Sequence, residues 1–251
     1  IPVRTEIGKR IREIFIPAAG YDWLMSCDYS QVELRVLAHM AQDKLLLESF
    51  LHGQDVHART AAEVFGVPLE QVDAMMRTRA KAVNFGIVYG ISDFGLAKQL
   101  DISRGEAAEY IKNYFARYTG VKKYMDDMVK HAREQGYVAT MFGRRRYLPD
   151  IRHSNFNLRS FAERTAINTP IQGTAADIIK IAMLKVEQAL AEAQVKSRIL
   201  LQVHDELVLE VTEAERELVA KLVKRAMEGA ATLSVPLTAD VAWGKNWAQS
   251  K

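Results

Sequence analysis

The chain has little of what would tie it to a disulfide scaffold, a membrane or a fibre. It carries 1 cysteine, Cys27, in 251 residues, which excludes an internal disulfide and any metal site built from cysteines alone. No apolar run approaches the ~20 residues a membrane helix needs, and the longer apolar stretches are cut by charges. With 6 prolines, 14 glycines and no repeat, collagenous and low-complexity chains are excluded. Charge of one sign is also scarce. The 34 basic and 31 acidic residues leave a net +3, too little to argue nucleic-acid binding from bulk electrostatics. No charged-then-apolar leader is visible. The chain opens on Ile1 rather than Met and reads as a piece of something longer, in a reduced, cytoplasmic setting.

What is present is ample apolar material, 49% of residues, enough for one large domain or two closely packed ones of roughly 100–150 residues each. Residues 22–27 read as a short buried strand ending at Asp28. A helix is expected to open at Ser30, with Glu33 three residues on in a capping-box pattern. Between Pro68 and about residue 135 the pattern is helical, punctuated at Gly86, Gly90, Gly95 and Gly120. Residues 137–148 read as a hairpin with Gly143 near its turn. Two helices are expected next, from about Asn155 to Ile167 and from Thr174 to about Ala193. The runs 199–203 and 207–211 form a strand–turn–strand with His204-Asp205-Glu206 at its tip. A helix over 213–230 and a strand over 237–242 finish the chain. The class is α+β, with a sheet built from both ends of the chain around a helical insertion.

Three features carry chemistry. Asp205-Glu206 places two carboxylates at the tip of a very apolar hairpin. Mid-strand neighbours point to opposite faces, but at a turn both can reach one cleft. Acids are also common in turns, and on this segment alone that plainer reading is the safer one. Asp28 likewise ends an apolar strand, although it could belong only to the start of the following helix. If both strands share a sheet, Asp28 and Asp205 offer hard oxygen ligands suited to Mg²⁺. Two such ions ~4 Å apart can activate an attacking hydroxyl and stabilise a leaving phosphate oxygen. The third feature is Arg77, Lys81, Phe85 and Tyr89, each four residues apart. On a helix this makes a stripe about 18 Å long, with cations at one end and aromatics at the other. It suits a nucleoside triphosphate, with phosphates on the cations and sugar and base on the rings. Gly86 and Gly90 would leave room for a base pair. An amphipathic helix with an aromatic core end is the alternative; the ordered arrangement favours binding. Arg144, Arg145, Arg146, Arg152, Arg159 and Arg164 form a basic stretch that alone reads as a solvated face, yet is dense enough to keep phosphate binding open.

These residues resemble the motifs of family A DNA polymerases. Asp28-Tyr29-Ser30-Gln31-Val32-Glu33-Leu34-Arg35 is similar to the first, Arg77 through Tyr89-Gly90 to the second, and Gln202-Val203-His204-Asp205-Glu206 to the third. The likeness covers essentially the whole chain. It implies the antiparallel palm sheet and helical fingers of a right-hand polymerase, without the thumb: palm over 1–50 and 146–251, fingers over 51–145. It implies template-directed transfer of deoxynucleotides from dNTP to a primer 3′-hydroxyl with release of pyrophosphate. Asp28, Asp205 and the Tyr29 carbonyl would hold two Mg²⁺, with Glu206 beside them. Arg77 and Lys81 would bind triphosphate, with Lys81 the acid for the leaving group, and Phe85 and Tyr89 would pack on sugar and base. Arg4, Gln31 and His57 match nucleotide-site positions. Arg164, Asn168, Gln172 and His204 match positions that contact primer–template DNA, partly through the minor groove. Glu33, held by Tyr89, would be the gate against a ribose 2′-hydroxyl, although it could also only cap its helix. Related single-subunit RNA polymerases typically carry Met at the position of Phe85 and Ser at that of Glu206; Phe and Glu here point to deoxynucleotides, and Phe85 to discrimination against dideoxynucleotides. The resemblance implies a monomer without membrane attachment, part of a longer bacterial or phage polymerase, that binds DNA weakly and distributively when its clamp is missing. A DNA-binding module or a metal-dependent nuclease would each leave the Arg77–Tyr89 stripe unexplained.

Overall fold

A computed structural model describes residue 1 and residues 5–250. The elements begin with α1 (Glu6–Glu13), β1 (Trp23–Tyr29), α2 (Val32–Ala41), α3 (Lys44–Leu51) and α4 (Val56–Phe65). There follow α5 (Ala74–Val88), α6 (Asp93–Leu100), α7 (Arg104–Arg117) and α8 (Thr119–Gln135). The hairpin β2 (Tyr137–Ala139) and β3 (Arg145–Tyr147) leads to α9 (Phe156–Glu192). Then come β4 (Arg198–Val203), β5 (Glu206–Val211), α10 (Arg216–Glu228) and β6 (Ala239–Gly244). The described chain forms two compact units, one of residues 1–32 with 175–251, the other of residues 33–174. No helix among the described residues is long and apolar enough to cross a membrane.

The first unit holds a four-stranded sheet in the order β4-β5-β1-β6. The expectation of a sheet drawn from both ends of the chain is met: β1 runs antiparallel to β5 on one side and to β6 on the other. The central strands are the buried ones. Every residue of β5 is buried, and so are Leu24, Met25, Ser26 and Cys27 of β1. At the edge, β4 leaves Leu200 and Leu201 exposed and carries an irregularity between Ile199 and Leu201, a distortion that discourages further strand pairing. Leu24, Val208 and Trp247 form a small apolar cluster, and Arg12 stacks its guanidinium on the Trp247 ring at 4.1 Å.

The second unit is mostly helical, and its caps follow from the sequence. Asp43, Asp55, Asp73, Ser92 and Ser103 each precede a helix and accept hydrogen bonds from its first amides. Asp43 does this twice over, since its second oxygen accepts from Gly120 N at 2.9 Å. Gly120 is required there, because a Cβ would stand 2.8 Å from Asp43 Cα.

Two local expectations fail. The helix expected to open at Ser30 starts later. The helix begins at Val32, Gln31 takes a left-handed φ of 55°, and the Ser30 amide donates to Thr238 O. The two helices expected over 155–167 and 174–193 are one helix, α9, with Pro170 inside it. Within that helix Gly173 serves close approach: a Cβ there would lie 2.6 Å from Thr140 Cγ2. Donors from outside the helix also engage this stretch. Tyr124 O–H donates to Ile167 O and Arg144 to Gly173 O, while Thr174 Oγ1 accepts from Met141 N. The last strand sits two residues later than expected, at Ala239–Gly244.

Candidate active site

The acids come first. Antiparallel pairing sets Asp28 opposite Glu206 on β5 and opposite Asp240 on β6, so three acidic residues stand in a row across three strands. The β4–β5 hairpin turns over His204 and Asp205, and the Tyr29 amide donates to Asp205 O at 3.2 Å. Asp28 and Asp205 thus lie at the same end of one sheet. His204 takes a left-handed φ of 56°, a conformation in which His is among the enriched non-glycine residues. Gln202 Nε2 donates to His204 O at 2.8 Å, which fixes the turn from its other side. Glu206 is buried beside Trp247, whose Nε1 lies 3.4 Å from Oε1. Tyr29 is buried and donates its O–H to Met227 O at 2.6 Å. Burial pushes the Cys27 thiol up to about 12, so the residue before Asp28 is inert packing.

A cation held at this end of the sheet would screen carboxylates that stand opposite one another on adjacent strands. Asp28, Asp205 and the Tyr29 carbonyl are hard oxygen donors too few to fill a six-ligand shell, which suits a cation that takes its remaining ligands from phosphate and water. Among the described residues no group of three or more His, Cys, Asp or Glu is arranged to hold a metal by itself. Asp240 was not foreseen, because only the strand register reveals it.

The second unit holds the stripe. Arg77 and Lys81 are exposed on α5, and Phe85 lies half-buried near its end. Tyr89 follows as the capping residue and stacks on Phe85 with ring centroids 6.4 Å apart. Arg77 Nε donates to Asp55 Oδ2 at 2.6 Å. Asp55 also accepts from the His57 and Ala58 amides as the cap of α4. Partial burial pushes the Asp55 carboxyl up, but Arg77 and those amides together hold it below the usual carboxylate range. His57 is buried with its ring 5.8 Å from that of Phe85. Burial, with Arg77 and Lys81 adding to it and Asp55 opposing, lowers its pKa to about 4. The ring is therefore neutral at pH 7.

Tyr89 O–H donates to Glu33 Oε2 at 2.7 Å, the contact required of a gate held by Tyr89. The two glycines do not open space for a base pair. A Cβ on Gly86 would meet Ile91 Cγ2 at 2.9 Å, and one on Gly90, itself at φ 68°, would meet Arg164 Cγ at 2.8 Å. They accommodate protein side chains instead. Asn168 Nδ2 donates to Tyr89 O at 3.4 Å, Arg164 donates to Ser160, and Gln172 is exposed on α9. Arg144, Arg145 and Arg146 are exposed on and beside the hairpin. Gln31 and His204 lie in the first unit with the acids; Arg4 lies outside the described residues. Sequence reasoning missed Asn84, Thr60 and Tyr118, which are buried around His57. A polar residue in the run Ala82-Val83-Asn84-Phe85 was the available signal.

Comparison with known proteins places this geometry. Residues 1–249 match the sequence profile of DNA polymerase family A. DNA polymerase I of Geobacillus stearothermophilus is 56% identical over the whole chain, which covers 29% of that relative. DNA polymerase I of Caldicellulosiruptor bescii is 54% identical, again over 100% of this chain and 29% of the relative. The chain thus spans less than a third of the curated relatives it matches. Among solved structures, the POL domain of Pol1 from M. smegmatis, in complex with DNA primer-template and dNTP, superposes with a TM-score of 0.95 at 48% identity. That match covers all of this chain and 44% of the other. With its acids at one end of an antiparallel sheet and its cationic-aromatic stripe intact, the chain belongs to DNA polymerase family A.

Proposed function

We propose that this chain carries the catalytic centre of a template-directed DNA polymerase. It would extend a primer 3′-hydroxyl with deoxynucleotides from dNTP and release pyrophosphate. The observation that carries the reading is the sheet pairing that brings Asp28 and the Asp205 turn to one strand end in a family A chain. The sheet-bearing segments would be the palm, and the helices between residues 51 and 145 the fingers. Asp28, Asp205 and the Tyr29 carbonyl would hold two Mg²⁺, with Glu206 in support. Those ions, when bound, lower the pKa of the attacking hydroxyl and stabilise charge on the leaving oxygen.

The chain's own side chains do the rest. Arg77 and Lys81 hold the triphosphate, and Lys81 gives a proton to the departing pyrophosphate. Phe85 and Tyr89 pack on the incoming sugar and base. Glu33, fixed by the Tyr89 hydroxyl, occupies the space a 2′-hydroxyl would need. Gln31, His57 and Arg4 complete the nucleotide site. Arg164, Asn168, Gln172 and His204 contact the primer–template, reading the shape of its minor groove, where every correct pair offers similar acceptors. The chain would work as a monomer in the cytoplasm, and the greater length of its bacterial relatives supports its being part of a longer polymerase.

Primer extension with Mg²⁺, comparing deoxy- with ribonucleotides and wild type with Asp205→Ala, tests this. Extension with deoxynucleotides alone, abolished in the variant, is the expected result. Extension that survives Asp205→Ala would refute the assignment of the metal site.

A further inference from the structure

Behind the nucleotide stripe lies a closed set of polar side chains with no assigned purpose. Thr60, Asn84 and Tyr118 have no exposed surface and His57 has 3%, yet all four are polar and joined by hydrogen bonds. Their protons can be placed from the contact distances. Thr60 Oγ1 lies 2.8 Å from Val56 O, a backbone carbonyl that can only accept, so the single hydroxyl proton of Thr60 goes there. Thr60 Oγ1 then accepts from Tyr118 O–H at 3.0 Å and from Asn84 Nδ2, at 3.0 Å the nearer of the two amide atoms, with Oδ1 at 3.2 Å. Both amide atoms reach Thr60, and the shorter contact sets the Asn84 orientation, with the nitrogen towards Thr60 and His57. The remaining Asn84 N–H points at His57 Nδ1, 3.1 Å away. A nitrogen that receives a proton donor carries no proton of its own, so in the neutral ring the proton sits on Nε2.

We infer that Asn84, set by Thr60 and Tyr118, is a positioning residue that keeps His57 in its Nε2–H form, a neutral hydrogen-bond donor offered to the phosphates of the nucleotide. The inference rests on the reading of His57 as a nucleotide-site residue. The charged groups facing the ring agree with it. Arg77 and Lys81 on α5 oppose an imidazolium, while Asp55 at the cap of α4 favours one and is itself engaged by Arg77. Two cations already serve the phosphates here, so a third positive charge would be repelled by them, whereas a neutral N–H is not. The donor would then stay in place across the physiological pH range.

The ¹⁵N signals of the His57 ring test this in the 251-residue chain, identified as those lost in His57→Ala. The expected result is a protonated Nε2 and a bare Nδ1 from pH 8 to pH 5. Asn84→Asp offers only acceptors, so it should move the proton to Nδ1 and bring the ring into titration between pH 5 and 8. Thr60→Val keeps the shape and removes the acceptor; it should mix the two tautomers, while Thr60→Ser restores the wild-type signal. In primer extension, Asn84→Asp and His57→Ala should each raise the KM for dNTP by about tenfold. The change in kcat should be smaller, and the double variant should cost no more than either. A bare Nε2 in the wild type, or a tautomer indifferent to both Asn84→Asp and Thr60→Val, overturns the inference whatever the enzyme does. The assigned tautomer with a KM unmoved by His57→Ala overturns it by removing its phosphate; that failure is distinguishable from loss of the polymerase reading, in which wild type extends no primer at all.

Discussion

The burial of His57 makes a sharp prediction about acid stability. Its pKa falls from 6.5 to about 4 in the folded chain, so between those values the unfolded chain binds a proton that the folded chain refuses. The stability contributed is complete above pH 6.5 and is lost as pH falls towards 4. At pH 4.5 the loss attributable to this one ring is about 2.5 kcal/mol, a large part of an ordinary folding free energy of about 5–15 kcal/mol. His57→Asn retains an acceptor near the Nδ1 position and removes the titration. Urea unfolding followed by far-ultraviolet circular dichroism, at pH 7 and at pH 4.5, compares the two chains; this signal suits the unit that holds His57, which is mostly helical. Asn is expected to be the less stable at pH 7, where it loses packing, and to close the gap by about 2–3 kcal/mol at pH 4.5. If both chains lose stability equally between the two pH values, the ring is not held neutral by the fold and the reasoning fails.

Further outcomes are expected elsewhere. Tyr89→Phe removes the hydroxyl that fixes Glu33 at 2.7 Å, and incorporation of ribonucleotides should rise by about tenfold in a competition assay; unchanged discrimination would remove the gate from this pair. Phe85→Tyr should narrow the preference for deoxy- over dideoxynucleotides, read by chain termination against a mixed pool. Gly120→Ala drives a Cβ to within 2.8 Å of Asp43 Cα and 2.9 Å of Ala41 O, both backbone atoms, and should cost about 1–3 kcal/mol in urea unfolding. Cys27, buried and with its thiol pushed up to about 12, should resist a thiol reagent at pH 8 until the chain is unfolded; rapid native labelling would mean that β1 opens.

The sheet was legible because its strands announce themselves as short apolar runs ending in acids, and β1, β4 and β5 fall where those runs lie. The stripe was legible because a four-residue repeat on a helix is a geometric statement in itself. Boundaries set by single residues were not. The helix expected to open at Ser30 begins at Val32, because Gln31 turns left-handed first. The break expected between about residue 167 and Thr174 is absent, and Gly173 within that stretch answers to Thr140, more than thirty residues away, a neighbour no local window contains. The set around His57 was invisible for the same reason. Thr60, Asn84 and Tyr118 sit on separate segments, and each alone is an unremarkable polar residue. Asp240 became meaningful only when the register set it opposite Asp28.

A turn is an odd place to put an acid whose position matters, since turns are the mobile parts of a fold. The hairpin answers this by fixing backbone rather than side chain. The Tyr29 amide holds Asp205 O from the neighbouring strand, and Gln202 holds His204 O from within the hairpin itself. The left-handed His204 completes a two-residue loop so short that Glu206 already pairs with both Asp28 and Val203. A carboxylate that must serve a metal ion cannot also be pinned by a strong cationic partner, which would compete for the same oxygens. Holding the peptide instead would leave the carboxylate oxygens to the proposed ion while the main chain is held from both flanks, and a central β1 with paired strands on each side is the element best able to do it.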